Sequence, residues 1–204
     1  MFVGIVQGLA LVEKVERLPG LIRFSITTKA KWQVDLKKGA SIAIDGVCLT
    51  VTRLDSGSVF FDVINETLER TTLKFLTEGQ QVNFERSAKF GTEIGGHVLS
   101  GHIFGTAEIS KIETFNNNHI VHFSCPAEWM KYILRKGYVA IDGASLTVVD
   151  VDPKGTFTVH LIPETLSITT LGFKKDQDLV NVEIDSHTQA IVETVERILA
   201  TLPR

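Results

Sequence analysis

Cysteine, excess charge and long apolar runs are all scarce in this sequence. Its 204 residues include two cysteines, Cys48 and Cys125, too few for a disulfide framework and without the paired spacing of a zinc site. The formal net charge is −3 with no basic block, so neither nucleic acid nor a membrane surface is an expected partner. No segment reaches the roughly 18 apolar residues of a membrane span, and the start lacks a signal-peptide pattern. We therefore expect a cytoplasmic protein with free thiols.

What the sequence does contain is an internal repeat. Residues 43–51, AIDGVCLTV, match residues 140–148, AIDGASLTV, at seven of nine positions. Residues 64–73 match residues 162–171 at seven of ten positions, and residues 82–85 match residues 180–183 at three of four. The offset is 97 for the first pair and 98 for the others. Because a solenoid unit usually has about 20 to 50 residues, each copy is a whole small domain.

Each copy has the pattern of a small antiparallel β-barrel. Short stretches rich in β-branched and aromatic residues, separated in several places by turn sequences, lie at residues 41–54, 59–64, 81–85, 119–124, 138–149 and 156–161. Closing such a sheet into a barrel removes its exposed edges. We predict an all-β fold of two tandem barrels, one in residues 1–96 with a glycine-rich connector at 87–96, and one in residues 97–185.

A C-terminal helix is predicted after the second copy, within residues 186–204. Ser186 and Gln189 have the spacing of a capping box, and an apolar stripe at helical spacing follows at Ile191, Val195, Ile198 and Leu199. These signals predict a helix over residues 187–201. Because the first copy has no such helix, the stripe either covers an open barrel end or packs against other subunits. We favour the second only narrowly, because such stripes usually belong to a core.

The two copies differ at a few polar positions. Cys48 aligns with Ser145, and Ile5 aligns with His102, while the polar pairs kept in both copies are Thr50 and Thr147, Glu66 and Glu164, and Thr67 and Thr165. An imidazole is a common general base near neutral pH, so His102 is a candidate for proton transfer. Taken alone, Cys48 also fits a small buried hydrophobe and His102 a structural imidazole. The spacing of His97 and His102 does not suit a shared metal ion.

Five motifs together resemble the riboflavin synthase family: MFVGIVQG, DGVCLTV, GGHVLSGHI, IDGASLTV and LIPETL. The resemblance implies two six-stranded Greek-key β-barrels related by duplication, a C-terminal helix and a homotrimer, and it leaves open an association with lumazine synthase. It implies dismutation of two molecules of 6,7-dimethyl-8-ribityllumazine by transfer of a four-carbon unit, giving riboflavin and 5-amino-6-ribitylamino-uracil. No cofactor or metal is expected to take part.

The resemblance also assigns ligand-binding residues, one lumazine to each barrel. The first pocket is predicted at Gly4, Ile5, Val6, Cys48, Leu49, Thr50, Asp62, Val63, Ile64, Asn65, Glu66 and Thr67. The second is predicted at Gly101, His102, Ile103, Ser145, Leu146, Thr147, His160, Leu161, Ile162, Pro163, Glu164 and Thr165, with Lys136 reaching a pocket across the subunit boundary. Three positions depart from the family pattern and question affinity more than activity: Val3 for threonine, Asp45 for asparagine and Phe104 for aspartate.

The chemistry implied by the resemblance needs a proton acceptor and an activated partner. The methyl group on C7 of lumazine is acidic because its anion delocalises into the ring. His102 is the candidate for proton transfer, and Cys48 and Ser145 are candidates for activating or trapping the second lumazine, with water left open as the adding nucleophile. Two rivals remain: a non-catalytic lumazine-binding antenna protein, whose members lack this cysteine and histidine, and a two-barrel interaction module without a ligand.

Overall fold

Two closed six-stranded antiparallel barrels follow one another along the chain in the computed structural model, which describes residues 1–55, 57–91, 93–116 and 118–202. The strands of the first barrel are β1 Gly8–Leu18, β2 Leu21–Thr27, β3 Ser41–Ile44, β4 Val47–Asp55, β5 Ser58–Ile64 and β6 Gln81–Arg86. Those of the second are β7 Gly105–Phe115, β8 Asn118–Ser124, β9 Tyr138–Ile141, β10 Ala144–Asp152, β11 Thr156–Leu161 and β12 Leu179–Ile184. The predicted fold class is confirmed.

Both barrels have the same strand order. In the first, β1 pairs with β2 and β6, β2 with β5, β5 with β4, β4 with β3, and β3 with β6. The second repeats this order from β7 to β12. Short helices lie at α1 Ala30–Gln33, α2 Asn65–Arg70 and α3 Pro163–Ile168, and 3₁₀ turns lie at Thr72–Phe75, Ala127–Lys131 and Thr170–Gly172. The predicted boundaries at residues 96 and 185 stay a prediction.

The β-rich stretches predicted at residues 41–54 and 138–149 are each a tight hairpin of two strands. Asp45 and Gly46 have φ angles of 44° and 79°, and Asp142 and Gly143 have 45° and 84°. An Asp-Gly pair with both φ angles positive suits a two-residue hairpin turn. The apolar residues on either side of each turn give the sequence the pattern of continuous β-structure. The turns place Cys48 and Ser145 just after them, near the starts of β4 and β10.

Alternating strand residues fill each barrel with apolar side chains. The interior of the first barrel includes Phe24 and Phe61, whose ring centroids are 5.2 Å apart, and the second includes Phe123 and Phe157 at 5.1 Å. These four rings are almost completely buried. Each fully buried aromatic side chain contributes about 1.5–3 kcal/mol relative to exposure, so the cores hold the scaffold on which the loops are mounted.

A pair of equivalent asparagines joins the two barrels. Asn83 Nδ2 donates a hydrogen bond of 2.8 Å to the backbone carbonyl of Asp142, and Asn181 Nδ2 donates one of 2.8 Å to that of Asp45. Both asparagine side chains belong to residues that are at most 1% exposed. Because buried amides are costly to leave unpaired, this joint fixes one barrel against the other.

Helix α4, Ser186–Thr201, confirms the predicted C-terminal helix but not its cap. Asp185, rather than Ser186, caps the helix by accepting hydrogen bonds from the backbone N–H groups of His187 and Thr188. The predicted apolar stripe is between 49% and 65% exposed at Ile191, Val195, Ile198 and Leu199. The stripe therefore does not cover a barrel end of its own chain.

Among the residues that the structure describes, no helix is long and apolar enough to cross a membrane.

Candidate functional site

Cys48 lies at the wall of a cleft on the first barrel. Its side chain is half-buried, and its backbone N–H donates a hydrogen bond of 2.9 Å to the carbonyl of Gly101. Gly101 has a φ of 78°, and a Cβ atom there would lie 2.5 Å from the Cβ of Cys48. Only glycine permits this close approach in this conformation. A residue from the second half of the sequence therefore completes the Cys48 cleft.

The cleft brings together a thiol, an imidazole, a carboxylate and hydroxyl groups. It has a volume of about 580 Å³ and is lined by Val47, Cys48, Glu66, Thr67, Arg70, Thr71, Gly101, His102, Ile103, Phe104, Trp129 and Gln189. Glu66 also pairs with Arg70 at 2.7 Å. A cavity of this size with a few convergent polar groups is typical of a small-molecule site. Two of the three predicted catalytic residues, Cys48 and His102, line it.

The equivalent site on the second barrel, around Ser145, is built in the same way from the first half of the sequence. The backbone N–H of Ser145 donates a hydrogen bond of 2.9 Å to the carbonyl of Gly4. Gly4 has a φ of 72°, and a Cβ atom there would lie 2.6 Å from the Cβ of Ser145. The side chain of Val6 belongs to the core of the second barrel, and that of Ile103 to the core of the first.

The predicted grouping of the pockets is therefore wrong. Residues 4–6 were assigned to the pocket of Cys48 and residues 101–103 to that of Ser145, but the structure places each segment against the other barrel. An antiparallel bridge between Phe2 and Leu99 brings the two crossing segments side by side. Linear alignment of the repeats pairs each segment with its own half. It contains no information about an exchange of segments in space.

Two equivalent glutamates hold the crossing segments, and sequence reasoning missed both. Glu85 Oε1 accepts a hydrogen bond of 2.8 Å from the backbone N–H of Val3. Glu183 accepts bonds of 2.7 and 2.8 Å from the backbone N–H and the hydroxyl of Ser100, and one of 3.0 Å from the N–H of Gly101. The repeated VNFE and VNVE motifs were visible in the sequence. On their own, these two motifs indicate only strands and not a role for their glutamates.

Burial shifts the ionisation of both glutamates. It raises the pKa of Glu85 to about 7, although hydrogen bonds from Val3 and its neighbours oppose the rise. It also raises the pKa of Glu183, which the bonds from Ser100 and Gly101 oppose. Glu85 Oε2 is buried and has no hydrogen-bond partner among the described residues. The hold on residues 3–5 is therefore less complete than the hold on residues 100–101.

The remaining predicted residues separate into three groups. Four belong to the barrel cores, so only their backbone groups are available to a ligand: Leu49, Val63, Leu146 and Leu161. Asp62 lines a different cleft and forms an ion pair of 2.8 Å with Arg23, away from Cys48. The others are exposed or half-buried and lie in strands, in the short helices α2 and α3, or in the segments next to strands, namely Ile5, Thr50, Ile64, Asn65, Lys136, Thr147, His160, Ile162, Pro163, Glu164 and Thr165.

His97 is a further residue near the site that the sequence did not single out, except as a poor metal partner for His102. Its Nδ1 atom lies 2.6 Å from the Oγ of Ser145, so an imidazole contacts the one predicted catalytic residue outside the Cys48 cleft. Within the described ranges, no group of three or more histidine, cysteine, aspartate or glutamate side chains is arranged to hold a metal ion.

Comparison with known protein families matches this architecture twice. The model of the lumazine binding domain matches residues 3–87 and again residues 100–185. Two solved structures have the same fold: LumP complexed with riboflavin, with a TM-score of 0.84, 27% identity and coverage of 91% of this chain and 100% of LumP, and LumP complexed with 6,7-dimethyl-8-(1'-D-ribityl) lumazine, with a TM-score of 0.81, 28% identity and coverage of 90% and 98%. The fold and its two matched domains define a tandem lumazine-binding-domain protein.

Full-length relatives narrow this class. Riboflavin synthase of Escherichia coli (strain K12) is 50% identical over 201 residues, which cover 98% of this chain and 94% of the relative. Riboflavin synthase of Chlamydia pneumoniae is 47% identical over 201 residues, covering 98% of each chain. The chain belongs to the riboflavin synthase family.

Proposed function

We propose that this chain is a riboflavin synthase, a transferase that converts two molecules of 6,7-dimethyl-8-ribityllumazine into riboflavin and 5-amino-6-ribitylamino-uracil. One lumazine passes a four-carbon unit to the other, and the reaction balances with no oxidant, reductant or second substrate. The observation that carries the proposal is the occurrence of two equivalent but unlike sites, a cleft lined by Cys48 and His102 and the corresponding site on the second barrel with Ser145. Its near full-length relatives of that name support it.

Two similar pockets suit a reaction between two identical molecules. Each pocket holds one heterocycle, so the protein supplies the orientation that two free lumazines lack, an effect worth up to about 7–11 kcal/mol of the barrier. The backbone groups beside Gly4 and Gly101 and the hydroxyl and carboxylate groups of the following turns suit the ring and the ribityl chain respectively. The duplication of the domain thus serves the stoichiometry of the reaction.

The unlike residues give the two lumazines different roles. His102 is exposed at the cleft, and its backbone N–H donates a hydrogen bond of 3.1 Å to the hydroxyl of Ser100, which Glu183 holds in turn. These bonds fix the backbone of His102 beside the cleft, and its imidazole is the group that accepts a proton from the C7 methyl group of one lumazine. Cys48 and Ser145 are the candidates for activating or trapping the partner molecule.

A homotrimer is part of the proposal, with facing pockets from neighbouring subunits. The support within the chain is the exposed apolar stripe on α4, at Ile191, Val195, Ile198 and Leu199. Two polar contacts join the helix to the second barrel: Lys131 pairs with Glu196 at 2.6 Å, and the hydroxyl of Tyr132 donates a hydrogen bond of 3.3 Å to Glu193. The stripe is thus held in place and faces outward, as a subunit contact requires. A cytoplasmic location and an association with lumazine synthase stay predictions.

The test is to mix the purified protein with 6,7-dimethyl-8-ribityllumazine and follow absorbance, quantifying all three compounds by chromatography. We expect two lumazines consumed for each riboflavin and each pyrimidine formed. Tight binding of lumazine without conversion would instead indicate an antenna protein. Absence of lumazine binding would indicate an interaction module. The sedimentation of the same sample, with and without ligand, tests the trimer.

A further inference from the structure

His97 is buried beside Ser145 in a way that the reaction described above does not use. The residue is 8% exposed, and its ring stacks on that of Tyr138, with centroids 5.0 Å apart and an interplanar angle of 15°. Stacking fixes the plane of the imidazole. With that plane fixed, Nδ1 lies 2.6 Å from the Oγ of Ser145.

The glycine that precedes His97 makes this approach feasible. A Cβ atom on Gly96 would collide with the carbonyl oxygen of Val3 and would lie 2.7 Å from the Cβ of Ser145. Any other residue at position 96 therefore pushes the chain away from Ser145. The close contact between His97 and Ser145 is built into the backbone here and is not the chance meeting of two surface side chains.

The surroundings of His97 determine which ring nitrogen carries the hydrogen. Burial lowers the pKa of His97, and Asp185, the charged group facing it, only partly opposes this, so the ring is neutral at neutral pH. A neutral ring has one N–H group. Nε2 is buried and has no hydrogen-bond partner in the described part of the chain. Since a buried donor is rarely left unpaired, whereas an acceptor is more often tolerated, the hydrogen belongs on Nδ1.

We propose that His97 is a positioning residue for the second pocket: its Nδ1–H group donates to the Oγ of Ser145 and so directs the hydroxyl hydrogen of Ser145 to the bound heterocycle. A hydroxyl that accepts one hydrogen bond has its own hydrogen free for another acceptor. That acceptor is a ring nitrogen or carbonyl oxygen of the lumazine, which becomes more electrophilic when it accepts the bond. The contact between His97 and Ser145 does not depend on the proposed function, but the effect of that contact on a bound lumazine does.

Kinetics of four variants test the coupling of the two residues. We expect His97→Leu and Ser145→Ala each to lower kcat about tenfold, the loss of roughly one hydrogen bond in the transition state. The double variant should be no slower than Ser145→Ala, because His97 acts only through Ser145. His97→Asn, which keeps a non-titrating N–H donor near the position of Nδ1, should recover activity to within about threefold. Multiplying defects, or no recovery with asparagine, would overturn the proposal.

A measurement on the unmodified protein separates this inference from the proposed function. Nitrogen-15 NMR of the histidine rings reports which nitrogen of His97 is protonated, whether or not the protein turns over. We expect the Nδ1–H form at neutral pH, and an Nε2–H form would refute the assigned hydrogen bond. If the protein binds lumazine without converting it, the same four variants are compared by dissociation constant, with the same pattern expected.

Discussion

The Cys48 cleft and the Ser145 site are built from equivalent elements, but they differ in how completely their crossing segments are held and in the side chains that they present. Both lie after an Asp-Gly hairpin and receive a glycine carbonyl from the other half of the chain at 2.9 Å. They differ at Cys48 and Ser145, and at His102 and Ile5. The backbone scaffold was kept after duplication while the reactive side chains diverged. The shared scaffold orients two identical molecules, and the unlike side chains give them unlike roles.

The same comparison extends to the residues that support each pocket. Ser100 donates both its backbone N–H and its hydroxyl to Glu183, but Val3, its equivalent, donates only its backbone N–H to Glu85. Lys174 pairs with Asp142 at 3.4 Å, whereas the position equivalent to Lys174 after the first copy is Leu76, a core residue. The first half thus holds two carboxylates, Asp45 and Glu85, whose counterparts in the second half have an additional partner. The following predictions break or restore these differences one at a time.

Making position 102 like position 5 should have the largest effect. We expect His102→Ile to lower kcat by about 10²–10⁴, the range of a lost acid or base, with little change in thermal stability because the side chain is exposed. Steady-state riboflavin formation measures this. The matched control is the double variant Ile5→His/His102→Ile, which moves the imidazole to the Ser145 pocket and should not restore activity. Restoration by that exchange would mean that the two pockets are interchangeable.

Asp45→Asn should stabilise the protein at high pH by about 1–3 kcal/mol. Burial raises the pKa of Asp45 from its ordinary value of 3.8 to about 8, and neighbouring Asp142 adds to the rise, while Asn83 and Lys174 oppose it. A carboxyl whose folded pKa is raised destabilises the fold progressively between these two pH values, and fully above about pH 8. Asparagine removes this penalty and still accepts the 2.7 Å bond from the backbone N–H of Asn83.

Urea denaturation of the Asp45→Asn variant at pH 4 and pH 9 measures the effect. The difference from the unmodified protein should be near zero at pH 4 and largest at pH 9. Asp142→Asn is the matched control: burial also raises the pKa of Asp142, but Lys174, 3.4 Å away, opposes that rise, so we expect a smaller gain at pH 9 than for Asp45→Asn. An equal gain from both variants would contradict the asymmetry of the joint.

Val3→Ser should give the first half the hydroxyl that the second half already has. We expect the new hydroxyl to donate to the unpaired Oε2 of Glu85, to lower the pKa of that carboxyl from about 7, and to stabilise the protein by about 1 kcal/mol at pH 8. The gain should be lost by pH 4, where the carboxyl is protonated in both the folded and unfolded states. Thermal unfolding at the two pH values measures it. Ser100→Val, the reverse change, should destabilise.

Lys136→Gly should have the smallest effect on stability. Lys136 has a φ of 65°, and its equivalent in the first half is Gly39, with a φ of 88°. Relief of the left-handed strain, about 1 kcal/mol, nearly cancels the added flexibility of the unfolded chain. We expect a change within about 0.5 kcal/mol, but about fivefold weaker lumazine binding if Lys136 reaches a neighbouring pocket. A large stability loss with unchanged affinity would show that Lys136 has a structural role instead.

The fold was readable from the sequence because duplication repeats the strand pattern at a nearly constant offset. Long apolar stretches hid the turns at Asp45 and Asp142, although Asp-Gly is itself a hairpin signal. The helix α4 was evident from its stripe, but the choice of cap between Asp185 and Ser186 depends on backbone geometry that adjacent polar residues do not reveal.

The sequence predicted individual residues of the site but not how they are grouped in space. Cys48 and Ser145 stood out because they differ within matched motifs, and so did His102. Their partners Gly101 and Gly4 cross to the opposite barrel, which no alignment of one half with the other reveals. The roles of Glu85, Glu183 and His97 depend on burial and on contacts distant in sequence.

The exchange of segments between the halves is the central claim, and ligand protection of Cys48 tests it most directly. Alkylation of Cys48, followed by peptide mass spectrometry with Cys125 as the internal reference, is compared with and without riboflavin in Gly4→Val and Gly101→Val. A Cβ atom added at either glycine would lie within 3 Å of the reactive residue on the opposite barrel. Each substitution should therefore close the site that its glycine completes. We predict that Gly101→Val abolishes the protection of Cys48 and Gly4→Val preserves it. Loss of protection in Gly4→Val alone would contradict the account.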